Sequence, residues 1–308
     1  MFEDAVRKVV DSGARWVFVQ APEGLKTSLL GIGVELRKAG IEAVLSCEPC
    51  FGACDLRDIE AKRIGCDLLL HIGHADFGIR PVLPVIYEEY RLEADVEGLL
   101  NHEITKLDKF RSVGLVTTVQ YVHLLDKAKA ALESAGKKVS VGKPRKAKHA
   151  GQILGCDQTA ATSVGDDVDA FLFMGTGRFH AFGLAEATDK PVLFLDFESG
   201  KIVDMSSEWR KRTLIRMAGI EKAKGCRNFG ILVSTKPGQG SIAIAEGVRK
   251  RLESKGRSAW VLAMDTITPE KLLGLKLDCL VNCSCPRLVE DSGQFRKPIL
   301  LPEDVDKI

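Results

Sequence analysis

Nine cysteines in a chain of 308 residues are the part of this sequence that could do chemistry. An odd count fits a disulfide framework poorly, which leaves metal binding, redox chemistry or core packing. Cys54 lies in Phe51-Gly-Ala-Cys-Asp55 and Cys156 in Leu154-Gly-Cys-Asp157, and the shared Gly-Cys-Asp wording suggests equivalent positions. Cys285 lies in Asn282-Cys-Ser-Cys-Pro286, directly after an apolar run. The bland alternative is three unrelated buried thiols. Cys47 and Cys50, in Cys-Glu-Pro-Cys, resemble a thioredoxin-type dithiol, but the rest of that context is missing. Cys47, Cys50, Cys283 and Cys285 could also form a four-thiolate zinc site, although no second C-x2-C supports it. Cys66, Cys226 and Cys279 sit in or beside apolar strands and read as core residues.

The elements that must position these thiols repeat three times. The first copy runs Trp16-Val-Phe-Val-Gln20, an apolar-periodic stretch from Leu25 to Lys38, Ala39-Gly40, then Glu42-Ala-Val-Leu45. The second runs Ser112-Val-Gly-Leu-Val116, His123 to Ser134, Ala135-Gly136, then Lys138-Val-Ser-Val141. The third runs Phe229-Gly-Ile-Leu-Val233, Ile242 to Ser254, Lys255-Gly256, then Trp260-Val-Leu262. Each is strand, helix, glycine stop, strand, the signature of parallel strands joined by a crossover helix. Asp67 to Gly73, Asp169 to Gly175 and Asp278 to Asn282 then offer strands apolar enough to be covered on both faces. Further strands are expected at Pro84-Val-Ile86, Pro191 to Leu195 and Pro298 to Leu301. The expected fold is α/β, with three homologous small parallel-sheet domains arranged around a central site: residues 1–108, 109–215 and 216–308. Loops at the carboxyl ends of parallel strands build binding sites, and Cys54, Cys156 and Cys285 all fall in Gly- or Pro-flanked loops on that face.

Composition narrows the class. Apolar residues make up 45% and charged residues 28%, as in an ordinary globular protein. A net charge of +2 argues against direct nucleic-acid binding by the molecule as a whole. No apolar run reaches the length of a membrane span, and Met1-Phe2-Glu3-Asp4 lacks the features of a signal peptide. The expected location is the cytoplasm.

Six motifs in order carry a resemblance: Gln20-Ala-Pro-Glu-Gly-Leu25, Phe51-Gly-Ala-Cys-Asp55, His71-Ile-Gly-His74, Gly177-Arg-Phe-His180, Ser234-Thr-Lys-Pro-Gly-Gln239 and Cys285-Pro-Arg-Leu288. Together they resemble the diphthamide synthase family, 2-(3-amino-3-carboxypropyl)histidine synthase, in its archaeal single-chain form. The resemblance spans essentially the whole chain. It implies a 4Fe–4S cluster held by one cysteine per domain, here Cys54, Cys156 and Cys285. It further implies a homodimer, an electron donor, and transfer of the 3-amino-3-carboxypropyl group of S-adenosylmethionine to a histidine of translation elongation factor 2. Cys47, Cys50 and Cys54 form C-x2-C-x3-C, the reverse of the run used by conventional radical S-adenosylmethionine enzymes. Three departures stand out: Ala75-Asp-Phe-Gly78 where relatives often carry Ser-Cys, and the additional Cys50 and Cys283. Three thiolates leave a fourth iron open, as catalytic metal sites require.

Other residues are candidates for holding S-adenosylmethionine. Gly238-Gln-Gly-Ser-Ile-Ala243 resembles a dinucleotide turn, but Asp265 lies beyond the strand end where the matching acid belongs. The turn, with Gln239, could instead receive a carboxylate at a helix start; the plain alternative is a tight turn. The Gln20 to Gly24 loop is a second host for that carboxylate, and Glu23 could serve as a base or meet the sulfonium. Lys26-Thr27 after Gly24 is not a P-loop. His74 and His180 follow equivalent strands and could face the centre, against the plainer reading of structural histidines. Lys137 to His149 holds six Lys and Arg side chains and no acid, a solvated loop or a docking site for an acidic protein face. Two other functions stay open on the residues alone: a nucleotide-dependent oxidoreductase using the Gly238 turn, and a non-catalytic metal or cluster scaffold.

Overall fold

The computed structural model describes residues 2–308, apart from the side chains at positions 290 and 291; Met1, and with it the very start of the chain, lies outside the described residues. The first sheet holds β1 (Trp16–Gln20), β2 (Glu42–Leu45), β3 (Leu68–Ile72) and β4 (Val85–Glu88) in the order β2-β1-β3-β4. The second holds β5 (Ser112–Thr117), β6 (Lys138–Ser140), β7 (Ala170–Gly175), β8 (Val192–Asp196) and β9 (Lys201–Asp204) in the order β6-β5-β7-β8-β9. The third holds β10 (Asn228–Ser234), β11 (Ser258–Met264), β12 (Cys279–Asn282) and β13 (Ile299–Leu300) in the order β11-β10-β12-β13. Every pairing is parallel except β8 with β9, so the second sheet carries an antiparallel edge that the apolar pattern did not announce. Lys201–Asp204 is short and half polar.

The repeat is visible in local devices as well as in strand order. The helices Leu29–Lys38, Leu125–Ser134 and Ile242–Ser254 end before Gly40, Gly136 and Gly256, with φ of 78°, 79° and 73°. Only glycine adopts that backbone without strain, so the same residue stops the helix in each copy. Asp67, Asp169 and Asp278 precede β3, β7 and β12. Each accepts backbone N–H bonds from the first strand of its own sheet: from Arg15 and Trp16, from Arg111 and Ser112, and from Arg227 and Asn228. A carboxylate receiving two amides locks the register between first and third strands. The carboxyls of Asp169 and Asp278 are accordingly held below the usual range by these bonds.

Helices cover the central strands, and β3, β7 and β12 are buried along their whole length. Val96, Leu100 and Leu107 pack with Val113, Leu115 and Leu172, so the core of the second unit reaches upstream of residue 108. The helix Ser206–Ala223 begins beside the second core, where Trp209 packs, and ends with Ala223 in the third. Among the described residues no helix is long and apolar enough to cross a membrane.

In each sheet the chain leaves the first strand to one side and returns on the other. Ligands bind in the crevice that this reversal opens at the carboxyl ends of the strands. The carboxyl-end loops of all three sheets line one cavity of about 530 Å³.

Candidate functional site

Cys54, Cys156 and Cys285 all line this cavity. Cys54 and Cys156 occupy the same place in their units, the loop after β2 and the loop after β6. Cys285 instead follows β12, the counterpart of β3 and β7; the segments after those two strands contribute His74, from a loop, and His180, from the start of the helix Phe179–Ala187, to the same cavity. Three separate sheets thus place one thiol each around a shared centre.

The Cys54 loop is held from two sides. Asp55 N donates to Gly52 O at 3.0 Å, closing a turn around the cysteine. Gln20 at the end of β1 is fully buried; its Nε2 donates to Asp55 O and its Oε1 accepts Arg57 N at 3.2 Å. Gln20 is therefore occupied in holding the loop backbone. From the third unit, Gly238 N donates to Cys54 O at 2.9 Å and Gln239 Nε2 to Cys54 Sγ at 3.2 Å. A Cβ on Gly238 would lie 2.6 Å from Cys54 Cα, so only glycine allows this approach. At Gly238 the turn packs directly on Cys54 and Ile79. Gln239 N donates to Lys236 O at 3.0 Å. The backbone N–H groups of Gly238 and Gln239 are thus both engaged within the protein.

A buried ionic network backs the same contact. Lys236 Nζ meets Asp55 Oδ2 at 2.7 Å, and both side chains are almost fully buried. Arg57 meets Asp265 at 2.8 Å and Asp55 at 3.6 Å. Lys236 and Arg57 were not singled out from the sequence. Lys236 sits inside the Ser234-Thr-Lys-Pro-Gly-Gln239 motif. Asp265 drew notice only as the acid a dinucleotide site would need, and its partners turn out to be Arg57 and Lys236.

The Cys156 loop is fixed by Asp157, whose carboxylate accepts Lys146 N at 2.7 Å and Thr159 N at 3.0 Å. Those bonds outweigh its partial burial and hold its pKa below the usual carboxylate range. They also bring the basic segment against the cysteine at the cavity edge. Cys285 caps the 3₁₀ turn Pro286–Asp291; its carbonyl accepts Asn282 Nδ2 at 2.8 Å, and Ser284 N donates to Asn282 Oδ1 at 3.0 Å. Cys283, two residues earlier, packs in the third core with Val281 and Leu300.

Burial raises the Cys54 and Cys156 thiols and so favours their protonated forms. Burial pushes the Cys54 thiol up to about 11; the Gln239 hydrogen bond opposes this, and Cys285 and Cys156 add to it. Three mutually repelling thiolates become favourable only beside strong positive charge, which a metal centre supplies as it displaces the protons. Soft sulfur donors without a carboxylate suit zinc or an iron–sulfur cluster rather than magnesium or calcium.

His74 and His180 line the cavity, and burial lowers each to about 4, with Arg287 and His74 adding to the effect on His180. Both are neutral at neutral pH. His71 Nε2 lies 3.1 Å from His74 Nδ1, so a ring N–H of one meets a ring lone pair of the other. Cys50 Sγ and one ring nitrogen from each of His71 and His74 lie within 4.8 Å of one another. Glu23 lies outside the cavity, exposed and paired with Lys26 at 2.9 Å. Cys47 is exposed, Cys66 and Cys279 are buried, and Cys226 is partly buried against the third core. Among the described residues, therefore, the four thiols of the zinc alternative do not converge: Cys47 is at the surface and Cys283 in the core.

The diphthamide synthesis protein family matches residues 21–307. The 2-(3-amino-3-carboxypropyl)histidine synthase of Pyrococcus horikoshii is 36% identical over 299 residues, covering 96% of this chain and 85% of the relative. The synthase of Methanocaldococcus jannaschii is 30% identical, covering 94% and 82%. The crystal structure of Dph2 from Pyrococcus horikoshii superposes with a TM-score of 0.94 at 34% identity, covering 99% of this chain and 89% of that one. The same protein crystallised with a 4Fe–4S cluster superposes with a TM-score of 0.93. This chain belongs to the diphthamide synthesis protein family.

Proposed function

We propose that this chain is a 2-(3-amino-3-carboxypropyl)histidine synthase, catalysing the first step of diphthamide formation. In net terms, a carbon–sulfur bond of S-adenosylmethionine breaks and a carbon–carbon bond forms to a histidine ring of translation elongation factor 2. Methylthioadenosine leaves and one proton is released. The observation that carries this reading is the convergence of three thiols from three sheets on one cavity. Cys54, Cys156 and Cys285 would hold a 4Fe–4S cluster and leave one iron without a protein ligand. When bound, the cluster supplies the single electron that opens the carbon–sulfur bond.

The chain's own residues shape what surrounds that chemistry. His74 and His180 are neutral and so do not repel a sulfonium. His74 Nδ1 is engaged with His71, which fixes the orientation of the His74 ring at the cavity wall. The Gln20 and Gly238 contacts fix the Cys54 loop, so S-adenosylmethionine meets a preformed wall rather than a mobile one. The run from Lys137 to His149 is tied down at Lys137, and at Lys148 and His149, which pair with Glu89. Between these anchors Lys143, Arg145 and Lys146 flank the Cys156 loop and suit an acidic face of the protein substrate. A homodimer, a separate electron donor and a cytoplasmic location complete the proposal.

Anaerobic reconstitution tests it. The loaded protein should be brown and hold about four irons. With dithionite, S-adenosylmethionine and elongation factor 2, methylthioadenosine should appear and the factor should gain an aminocarboxypropyl mass. A colourless zinc protein would refute the cluster. 5′-Deoxyadenosine as main product would refute the assignment of the broken bond.

A further inference from the structure

We infer that Gln239 is a positioning residue for cluster electronics: its side-chain amide donates a hydrogen bond to the Cys54 ligand sulfur and thereby raises the reduction potential of the bound 4Fe–4S cluster. The inference rests on the proposed role of Cys54 as a cluster ligand and goes beyond it.

The donor is placed by construction. Gln239 sits in the loop that leaves β10, between two glycines the geometry requires. Gly238 lies against Cys54, where a Cβ would come within 2.6 Å of its Cα. Gly240 has a φ of 81°, and a Cβ there would lie 3.2 Å from Ser234 N and O. Lys236 O accepts Gln239 N at 3.0 Å and closes the turn. Lys236 is itself anchored in the first unit by its 2.7 Å bond to Asp55. The amide faces Cys54, and its Nε2 lies 3.2 Å from Sγ.

The sign of the effect follows from charge. A ligating cysteine is a thiolate, which attracts the NH₂ end of a carboxamide and repels its oxygen. One-electron reduction adds negative charge to the cluster and its sulfurs. A fixed N–H donor stabilises the more negative state, and hydrogen bonds to the sulfurs are among the terms that set cluster potentials. The donor comes from the third unit and the ligand from the first, so the potential also depends on how closely these two units pack.

The test uses full-length protein, reconstituted anaerobically, with iron and sulfide measured first and the midpoint found by dithionite titration followed by electron paramagnetic resonance. Gln239→Leu removes the donor at similar volume. It should keep its iron and show a roughly tenfold smaller equilibrium constant for one-electron reduction, a midpoint lower by about 59 mV. Gln239→Glu places a carboxylate at the sulfur and should lie lower still. Wild-type protein with ¹⁵N in its glutamine amides needs no variant, and its reduced cluster should show a hyperfine coupling to that nitrogen in pulsed measurements. A fully loaded Gln239→Leu protein with an unmoved midpoint, or the absence of the coupling in wild type, would overturn this inference while leaving the cluster reading intact. Failure of wild type to take up iron would instead bring down the proposed function and this inference with it.

Discussion

Replacing Gly238 with alanine should damage the cluster site without touching a ligand. The new Cβ would lie 2.6 Å from both Cys54 Cα and Cys54 Cβ, and 2.7 Å from Ile79 Cδ1. Two of those atoms belong to or adjoin the backbone, so no flexible side-chain end can swing away. Ordinary contact begins at 3.4 Å, and the two loops must separate by roughly 0.8 Å to reach it. That displacement stretches the 2.9 Å bond from Gly238 N to Cys54 O and the 3.2 Å bond from Gln239 Nε2 to Cys54 Sγ beyond hydrogen-bonding range. Overpacking costs about 1–3 kcal/mol, and each lost hydrogen bond a further ~0.5–1.5 kcal/mol. The expected loss of stability is about 2–6 kcal/mol on those figures. Function should suffer more than stability, because the displaced segment carries one of three cluster ligands. Thermal unfolding followed by circular dichroism gives the first quantity. Iron and sulfide per chain after anaerobic reconstitution give the second, and a clear shortfall is expected. Gly247→Ala is the control: it sits inside the helix Ile242–Ser254 with nothing within 4 Å of the new Cβ. It should load iron normally and be slightly stabilised, since alanine favours a helix interior by roughly 0.5–1 kcal/mol over glycine. A Gly238→Ala protein with a full cluster and an unchanged melting curve would refute the account of how Cys54 is positioned.

Three further outcomes are expected. Cys54→Ala, Cys156→Ala and Cys285→Ala should each lose most of their iron, whereas Cys283→Ala should keep it and lose about 1–3 kcal/mol of stability from the third core; a loaded Cys285→Ala beside an iron-free Cys283→Ala would move the third ligand by two residues. Lys236→Met leaves Asp55 with its carboxylate fully buried and without its 2.7 Å lysine partner, so denaturant unfolding should show a loss of about 3–5 kcal/mol, and a neutral result would mean Arg57 compensates. For His74 and His180 the folded pKa of about 4 lies below the 6.5 of an exposed imidazole. The unfolded chain therefore binds more protons than the folded one between those values. Their contribution to stability is full above about pH 6.5 and falls as pH drops toward 4. Cluster-free His180→Gln should show a shallower fall across that window than cluster-free wild type, and identical slopes would refute the burial argument.

The fold was legible because it is written three times in simple patterns. The apolar runs at Asp67–Gly73, Asp169–Gly175 and Asp278–Asn282, and the glycines at 40, 136 and 256, follow from strand burial and helix termination, which are local matters. β9 was not legible, because Lys201–Asp204 pairs antiparallel at an edge where half its side chains stay in water. Likewise no local signal says that Val96 and Leu100 join the core of the second sheet; that depends on which apolar face lies nearest after the chain has folded.

The site divides along the same line. Residue type and spacing by themselves put Cys54, Cys156 and Cys285 in loops at one end of their strands, and marked His74, His180 and the Gly238 turn as residues worth placing. A loop's sequence says which end of a sheet it occupies, because parallel strands have a direction. It does not say which loop of another unit it will touch. Only the tertiary structure decided that Gln239 faces a cysteine sulfur, that Gly238 is a glycine because Cys54 lies against it, and that Lys236 ends on Asp55. Those contacts join residues more than 180 positions apart. They exist because three sheets meet, and nothing within one repeat encodes the meeting.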